Sequence, residues 1–163
     1  ADMLILAWAR TYDMKYIILR PTNNYGIGQY PEKLIPICVK HLMRGKKIRL
    51  HDRGEPVRNW LHSADTASAV IKIIESGEVN EIFNVAGGFE QKNINTVQSI
   101  INSFFQSEVD CAPYLNLEHK RPGQDVRYAL NDQKLRSLGW EPKKKFDEEI
   151  ENIVKYYKKN FKW

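Results

Sequence analysis

The chain has 163 residues, of which 42% are hydrophobic and 28% are charged, a composition typical of a globular protein and unlike that of disordered or low-complexity chains. Its 25 lysines and arginines exceed the 20 acidic residues by five, a surplus that suits anionic ligands but does not by itself indicate nucleic-acid binding. Cys38 and Cys111 have no spacing typical of a disulfide framework or a zinc site, so we expect a reducing, cytoplasmic location. We also expect no membrane span and no signal peptide, because the sequence has no long apolar run and no basic, apolar leader.

The first predicted element is a helix over residues 2–12 that is apolar on almost every face. Such a helix has to be covered on two sides, by its own sheet and by a second body, and a partner subunit is the natural candidate. The apolar pattern begins with almost no polar residues before it, as is expected for a helix that starts further upstream.

The remaining elements alternate between strands and helices. A buried strand is predicted over residues 16–19, a polar loop over 22–32, and a helix over 34–43. After them we predict in chain order an alternating segment 47–51, a turn 52–56, a strand 57–62, a helix 64–75 capped by Ser63, a strand 81–85, an amphipathic helix after Asn95, a strand 126–129, a short helix 131–138, and a last helix that buries Ile150, Ile153, Val154, Tyr157 and Phe161.

This alternation predicts an α/β fold with a parallel sheet. The sequence contains no Gly-x-Gly-x-x-Gly loop, no Gly-x-x-x-x-Gly-Lys phosphate loop, no Gly-x-Ser-x-Gly elbow and no His-Glu-x-x-His helix. A self-contained nucleotide-binding enzyme is therefore not expected on this chain alone.

Polar loops carry the functional signal instead. Asn23 and Asn24 directly follow a buried strand, where ligands bind in open α/β sheets. Arg58 follows a turn, Asn84 ends a strand before two glycines, and Arg121 begins a rigid Arg-Pro-Gly loop. Arginine donors suit phosphate, and asparagine amides suit sugar hydroxyls or base edges, so these loops predict a phosphorylated, hydroxyl-rich ligand. The four histidines lack metal-ligand spacing and are interpreted as ordinary polar residues, and Trp60 and Trp140 as core residues.

Six segments follow one another along the chain: Arg20-Pro21-Thr22-Asn23-Asn24-Tyr25-Gly26, Tyr30-Pro31-Glu32-Lys33-Leu34-Ile35-Pro36, Val57-Arg58-Asn59-Trp60-Leu61, Phe83-Asn84-Val85-Ala86-Gly87-Gly88, Lys92-Asn93-Ile94 and Arg121-Pro122-Gly123-Gln124-Asp125-Val126-Arg127-Tyr128. Together, and in this order, they resemble the dTDP-glucose 4,6-dehydratase family of extended short-chain dehydrogenases/reductases, within the NAD-dependent epimerases and dehydratases. The resemblance implies part of a Rossmann-like domain over residues 1–30 and 61–90, and a small mixed α/β substrate-binding domain over residues 31–60 and 91–163.

The resemblance also implies that this chain is the C-terminal, substrate-binding portion of a longer protein and is inactive alone. The catalytic residues and most of the NAD site would lie upstream, so no catalytic residue is expected here. The family reaction oxidises C4 of the hexose with bound NAD, eliminates water across C5 and C6, and returns the hydride to C6. A homodimer through the helix at residues 1–12 is likewise implied.

Individual roles follow from the same resemblance. Asn23 would contact the diphosphate or sugar, and Asn24 would lie near the nicotinamide. Backbone amides of Lys33 and Leu34 would bind the diphosphate at a helix N-terminus, where anions are favoured. Arg58 and Arg121 would pair with phosphate, and Asn84 would contact the nucleotide. Three further expected substrate-binding residues depart from the family pattern. Arg49 and His51 stand where the family has a proline and a tyrosine that line the base pocket, and Gln124 stands where it has a histidine.

Two other functions remain open on the sequence. One is a UDP-sugar epimerase or decarboxylase of the same superfamily, which an upstream Asp-Glu pair would argue against. The other is a basic nucleic-acid-binding module built on the C-terminal lysines, which would bind DNA or RNA with steep salt dependence. These lysines are more simply interpreted as a solvated face, so a nucleic-acid partner is not expected.

Overall fold

A computed structural model describes residues 1–160 of the chain, and over this range helices and strands alternate. Two single 3-10 turns, Asp52–Gly54 and Ala112–Tyr114, lie between them. The helices are α1 Asp2–Tyr12, α2 Leu34–Met43, α3 Ser63–Ser76, α4 Asn93–Phe105, α5 Gln133–Arg136 and α6 Phe146–Asn160; the strands are β1 Ile17–Pro21, β2 Asn23–Tyr25, β3 Ile48–His51, β4 Val57–His62, β5 Glu81–Val85, β6 Phe89–Lys92, β7 Leu115–His119 and β8 Arg127–Tyr128.

Strand pairing is mostly parallel, which confirms the predicted α/β class. β1 pairs with β5, and β3 pairs with β7, each as a two-stranded parallel sheet. β4 forms the centre of the remaining sheet, because β2 and β8 pair in parallel along one edge while β6 pairs antiparallel along the other. Strand β4 therefore pairs with three strands, more than any other described strand.

The described residues form two hydrophobic clusters. The larger one joins α2, α4 and α6 to β3 and β4 and includes Ile35, Ile100 and Val154. The smaller one joins α3 to β5 and includes Leu61, Phe83, Leu135 and Trp140. Neighbouring residues of β4 belong to different clusters, since Trp60 packs in the larger and Leu61 in the smaller.

Several elements differ from the sequence-based expectation. β2 lies inside the segment predicted as a polar loop, and β6 and β7 were not predicted, because three- to five-residue polar strands have too little alternation to be recognised. Ser63 is not the N-cap of α3; the preceding His62 is, and its ring nitrogen accepts a hydrogen bond from the backbone N–H of Ala64 at 3.2 Å. α4 begins at Asn93, two residues before the predicted Asn95.

Helix α1 has the predicted extent, but none of its residues is buried among the described residues. Met3 is 77% exposed and Trp8 is 53% exposed, so an apolar face of this helix is open. An ion pair between Asp2 and Arg20, 2.7 Å long, links the helix to the end of β1. The last helix buries Ile150, Ile153, Val154 and Tyr157 as predicted, whereas Phe161 lies outside the described residues. Among the residues that are described, no helix is long and apolar enough to cross a membrane.

Candidate functional site: a cationic cavity beside strand β4

A cavity of about 1050 Å³ lies where β2, β3, β4 and β7 come together with the start of α2. Strands from two separate sheets form its walls, so residues far apart in sequence meet there. Seven of the nine predicted substrate-binding residues line this cavity: Asn23, Leu34, Arg49, His51, Arg58, Arg121 and Gln124.

Strand β4 positions one wall of the cavity. Asn23 is the register partner of Trp60, which places the β2 asparagine beside the middle of β4. The Arg58 guanidinium donates to the carbonyl of Asp125 at 3.0 Å and so fixes the 121–125 loop against β4. Within that loop the Gln124 N–H donates to the Arg121 carbonyl at 3.2 Å, which closes the turn that presents both side chains.

A buried amide at position 59 holds this wall together. The Asn59 side chain is only 3% exposed, and its Oδ1 accepts hydrogen bonds from the Thr22 hydroxyl at 3.0 Å and the Gly87 N–H at 2.9 Å. These two bonds tie the start of β2 and the turn after β5 to β4. On the other side of the strand, hydrogen bonds from Arg127 and a smaller contribution from Asn59 lower the pKa of Glu90.

The electrostatic character of the cavity is positive. Five cationic side chains and one carboxylate line it among the described residues: Lys46, Lys47, Arg49, Arg58, Arg121 and Glu32. The carboxylate of Glu32 is itself 3.2 Å from the ammonium of Lys33, so its charge is partly compensated. Burial lowers the pKa of His41, another lining residue, and the Lys47 carbonyl lies 3.0 Å from its Nδ1. The cavity is thus arranged to attract anions.

Neutral polar atoms complete the lining. Within the described part of the chain, Trp60 Nε1, Asn93 Oδ1 and Gln124 Oε1 are buried without a hydrogen-bond partner, and all three residues border the cavity. Buried polar atoms are normally paired, so one donor and two acceptors left open here indicate that a ligand or water completes them.

Comparison with known proteins identifies the family. The sequence model of the NAD dependent epimerase/dehydratase family matches residues 1–86, more than half of the chain. The chain belongs to this family. It is 35% identical over 167 aligned residues to dTDP-glucose 4,6-dehydratase 1 of Escherichia coli K12, covering 100% of this chain and 46% of that protein. The chain spans about half the length of the curated relatives it matches.

Solved structures of family members have the same fold. The dTDP-glucose 4,6-dehydratase of Bacillus anthracis in complex with NAD superposes with a TM-score of 0.85 at 37% identity, over 98% of this chain and 49% of that one. The enzyme DesIV of Streptomyces venezuelae, with NAD and TYD bound, superposes with a TM-score of 0.89 at 32% identity, over 98% of this chain and 48% of that one. UDP-glucose 4-epimerase of Thermotoga maritima superposes with a TM-score of 0.83 at 25% identity, over 99% of this chain and 52% of that one. The Rossmann-type resemblance predicted from the motifs is therefore confirmed.

Three of the predicted ligand contacts lie apart from the cavity lining. Lys33 caps α2, and its ammonium faces Glu32. Asn84, on β5, donates its amide to the Asn131 carbonyl at 3.0 Å. Asn24 donates to the Thr22 carbonyl at 3.1 Å and accepts from the Thr66 hydroxyl, so both polar atoms of its side chain are engaged within the protein. The ligand roles of these three residues stay predictions.

NAD is the cofactor of this family, and the resemblance places Asn24 near its nicotinamide. The Asn24 side chain donates one amide hydrogen to the Thr22 carbonyl and accepts one hydrogen bond from the Thr66 hydroxyl, so one N–H and one acceptor position of the amide stay open. The chain lacks the glycine-rich loop through which dinucleotides are held at a helix N-terminus. The described residues therefore do not form an NAD site by themselves.

The sequence does not indicate every residue that lines the cavity. Asn93 lines it and belongs to the Lys92-Asn93-Ile94 segment, to which the resemblance assigns no ligand role. Trp60 was interpreted as core, which is correct for most of its ring, although its Nε1 edge borders the cavity. Asn116 and His119 lie on β7, a strand that the sequence did not indicate.

Proposed function

We propose that this chain is the substrate-binding portion of an NAD-dependent nucleotide-sugar 4,6-dehydratase that acts on dTDP-glucose or a close analogue. The observation that carries the proposal is the gathering of Arg49, Arg58 and Arg121 with neutral amides in one cavity. Such a combination suits a ligand with a charged diphosphate and hydroxyl groups. The relatives named dTDP-glucose 4,6-dehydratase, at about one-third identity over the whole chain, support this choice of reaction.

In this proposal the chain binds and orients the substrate. Arg58 and Arg121 would pair with the diphosphate, because guanidinium groups form charge-assisted hydrogen bonds to phosphate oxygens. The indole N–H of Trp60 would donate a hydrogen bond to the ligand, and the side-chain oxygens of Asn93 and Gln124 would accept hydrogen bonds from its hydroxyl or base groups. These three atoms are buried and have no hydrogen-bond partner among the described residues. Correct orientation is a large part of catalysis, and these residues would supply it without transferring protons.

Calorimetric titration of the chain with dTDP, UDP, GDP and ADP tests the proposal. Arg58→Ala and Arg121→Ala should each weaken dTDP binding by about 10- to 100-fold, the loss of a charged hydrogen bond. Lys155→Ala is the matched control, because it also removes one positive charge. Lys155 is exposed on α6 and does not line the cavity. Preference for UDP would favour the epimerase or decarboxylase alternative, and no binding of any nucleotide would contradict a substrate site on this chain.

We further propose that α1 mediates a homodimer and that the protein is cytoplasmic. The exposed apolar residues Met3, Leu4, Trp8 and Tyr12 support the first proposal, because a contiguous apolar helix face is usually covered in an assembly. The second is supported by Cys38 and Cys111, both of which are free thiols.

A further inference from the structure

One wall of the cavity is formed by the parallel strands β3 and β7. In this pair Arg49 is the register partner of Asn116, and His51 is the register partner of His119. All four residues line the cavity. Because register partners on adjacent strands point to the same face of a sheet, the guanidinium of Arg49 and the amide of Asn116 share the face that borders the cavity.

The orientation of the Asn116 amide is set by its own strand. Its Oδ1 accepts a hydrogen bond from the backbone N–H of Glu118 at 3.1 Å. A flipped amide would place two donors against each other, so the oxygen has to stay on this side. The oxygen keeps at most one further acceptor position, whereas no described residue accepts a hydrogen bond from the N–H groups of this side chain. Asn116 therefore offers mainly donors to a ligand.

Arg49 adds further donors and no acceptor. A guanidinium has only N–H groups, and none of the described hydrogen bonds or ion pairs involves the side chain of Arg49. His51 and His119 complete the wall, with their ring centroids 6.3 Å apart. A neutral imidazole has one donor and one acceptor nitrogen, so these two rings can pair with either kind of ligand group. The balance of the wall is therefore decided by Arg49 and Asn116.

A β-bulge keeps a strong acceptor away from this wall. Two residues separate the register positions on β3, from 49 to 51, but three separate them on β7, from 116 to 119. With regular alternation Glu118 would lie opposite His51 and place a carboxylate there. The bulge places His119 at that position, and Glu118 is exposed and does not border the cavity. Among the described residues, the wall thus has no side chain that can only accept.

We propose that this wall selects a nucleobase with a carbonyl rather than an amino group at C4, and that Asn116 makes the selection. The inference rests on the proposed function, in which Arg58 and Arg121 hold the diphosphate and the base lies at Arg49 and His51. Thymine and uracil have a C4 oxygen that accepts hydrogen bonds, whereas cytosine has an amino group there that would face donors. The wall therefore accepts dTDP and UDP alike at this edge and rejects CDP. The family resemblance assigns no role to Asn116.

UDP and CDP are the matched ligands for the test, because their bases differ only at this edge. In calorimetric titrations of the intact chain, UDP should bind about tenfold or more tightly than CDP, since its carbonyl gains a donor and the amino group of CDP does not. Asn116→Asp keeps an oxygen for the Glu118 N–H and replaces the amide NH2 with an acceptor. This variant should reduce the ratio of UDP to CDP affinity by about tenfold or more, because its carboxylate accepts from the cytosine amino group.

The ratio of the two affinities separates base selection from a general loss of binding. The added carboxylate repels both diphosphates, so that effect cancels in the ratio. Asn95→Asp is the control: it makes the same change on the exposed side of α4, away from the cavity, and should leave the ratio within about twofold. Equal affinities for UDP and CDP, a preference for CDP, or an unchanged ratio in a folded Asn116→Asp variant would overturn the proposal. Far-UV circular dichroism checks the fold of each variant, and the ratio in the unmodified chain decides the matter if Asn116→Asp does not fold.

Uridine and cytidine distinguish this inference from the proposed function, because they carry no phosphate. At millimolar concentration, uridine should shift the side-chain amide signals of Asn116 in nitrogen-edited NMR spectra more than cytidine does, and equal responses would contradict the selection. A selective uridine response without any nucleoside diphosphate binding would refute the substrate proposal and leave the base-selecting wall. Diphosphate binding with no preference between UDP and CDP would do the reverse.

Discussion

Gly87→Ala is the substitution for which the structure gives the sharpest expectation. A Cβ added at Gly87 would lie 1.7 Å from the Trp60 carbonyl oxygen, 2.6 Å from its carbon and 2.9 Å from the Leu61 Cα. All three are backbone atoms of β4, so no side-chain rotation can relieve the overlap. Either the strand or the turn after β5 has to move, and movement of the turn breaks the hydrogen bond from Gly87 N–H to Asn59 Oδ1.

The expected cost follows from these two effects. Overpacking that forces a backbone shift destabilises proteins by about 1–3 kcal/mol. A buried amide oxygen that loses a partner adds about 1–3 kcal/mol, giving a total of about 2–6 kcal/mol. A domain of this size is stable by about 5–15 kcal/mol, so the substitution should be severe. Gly45→Ala provides the comparison: Gly45 has φ +61° and no heavy atom within 4 Å of an added Cβ, so only left-handed strain of about 1–2 kcal/mol is expected.

Urea denaturation followed by circular dichroism measures both variants against the unmodified chain. We expect Gly87→Ala to reduce the free energy of unfolding by clearly more than Gly45→Ala. Equal losses in the two variants, or a change below about 0.5 kcal/mol for Gly87→Ala, would refute the argument that β4 and this turn are in obligatory backbone contact.

Three further predictions concern other parts of the fold. Asp65→Asn should lower the free energy of unfolding by about 1–3 kcal/mol in urea denaturation, because this buried carboxylate accepts two backbone N–H groups of the 143–144 loop, each at 3.0 Å; an unchanged midpoint would contradict this. Trp8→Glu should convert a dimer into a monomer in sedimentation velocity, and a monomeric unmodified chain would refute the dimer proposal. Burial lowers the pKa of His62, so near this pKa the unfolded state binds more protons than the folded state. The free energy of unfolding should therefore fall as pH drops through about 6.5, the ordinary pKa of histidine. His62→Gln should reduce this pH dependence, and urea midpoints of both proteins at about pH 5.5 and 7.5 would measure it.

The sequence was sufficient to predict Asn23, Arg58 and Arg121 as cavity residues. Each lies in or beside a polar loop next to a strand, and in a parallel α/β arrangement such loops converge on one side. Asn84 also ends a strand, but its amide is used by the backbone of residue 131. Composition and spacing do not distinguish an asparagine that faces a ligand from one that anchors a neighbouring loop, because both belong to the same kind of segment.

His119 could not be predicted for a different physical reason. Its position opposite His51 depends on one extra residue in β7, and strand recognition relies on a period of two that a bulge interrupts. Trp60 illustrates a further limit. Burial of an aromatic ring is predictable from its type, but the accessibility of a single indole nitrogen depends on the tertiary structure.

Four consecutive residues of β4 have four different surroundings. Arg58 lines the cavity, Asn59 joins three segments, Trp60 packs in the larger hydrophobic cluster, and Leu61 packs in the smaller one. Substitution of any of the last three disturbs the hydrogen bonds or packing that hold β4, the strand that carries Arg58, so weaker ligand binding in such a variant could not be attributed to a lost ligand contact. Arg121 is exposed in a loop. Among the described residues, no hydrogen bond or ion pair joins its side chain to β4. Binding measurements at Arg121 therefore report on ligand recognition more directly than those at Arg58, and a larger loss at Arg58 should be accompanied by a measurable loss of stability.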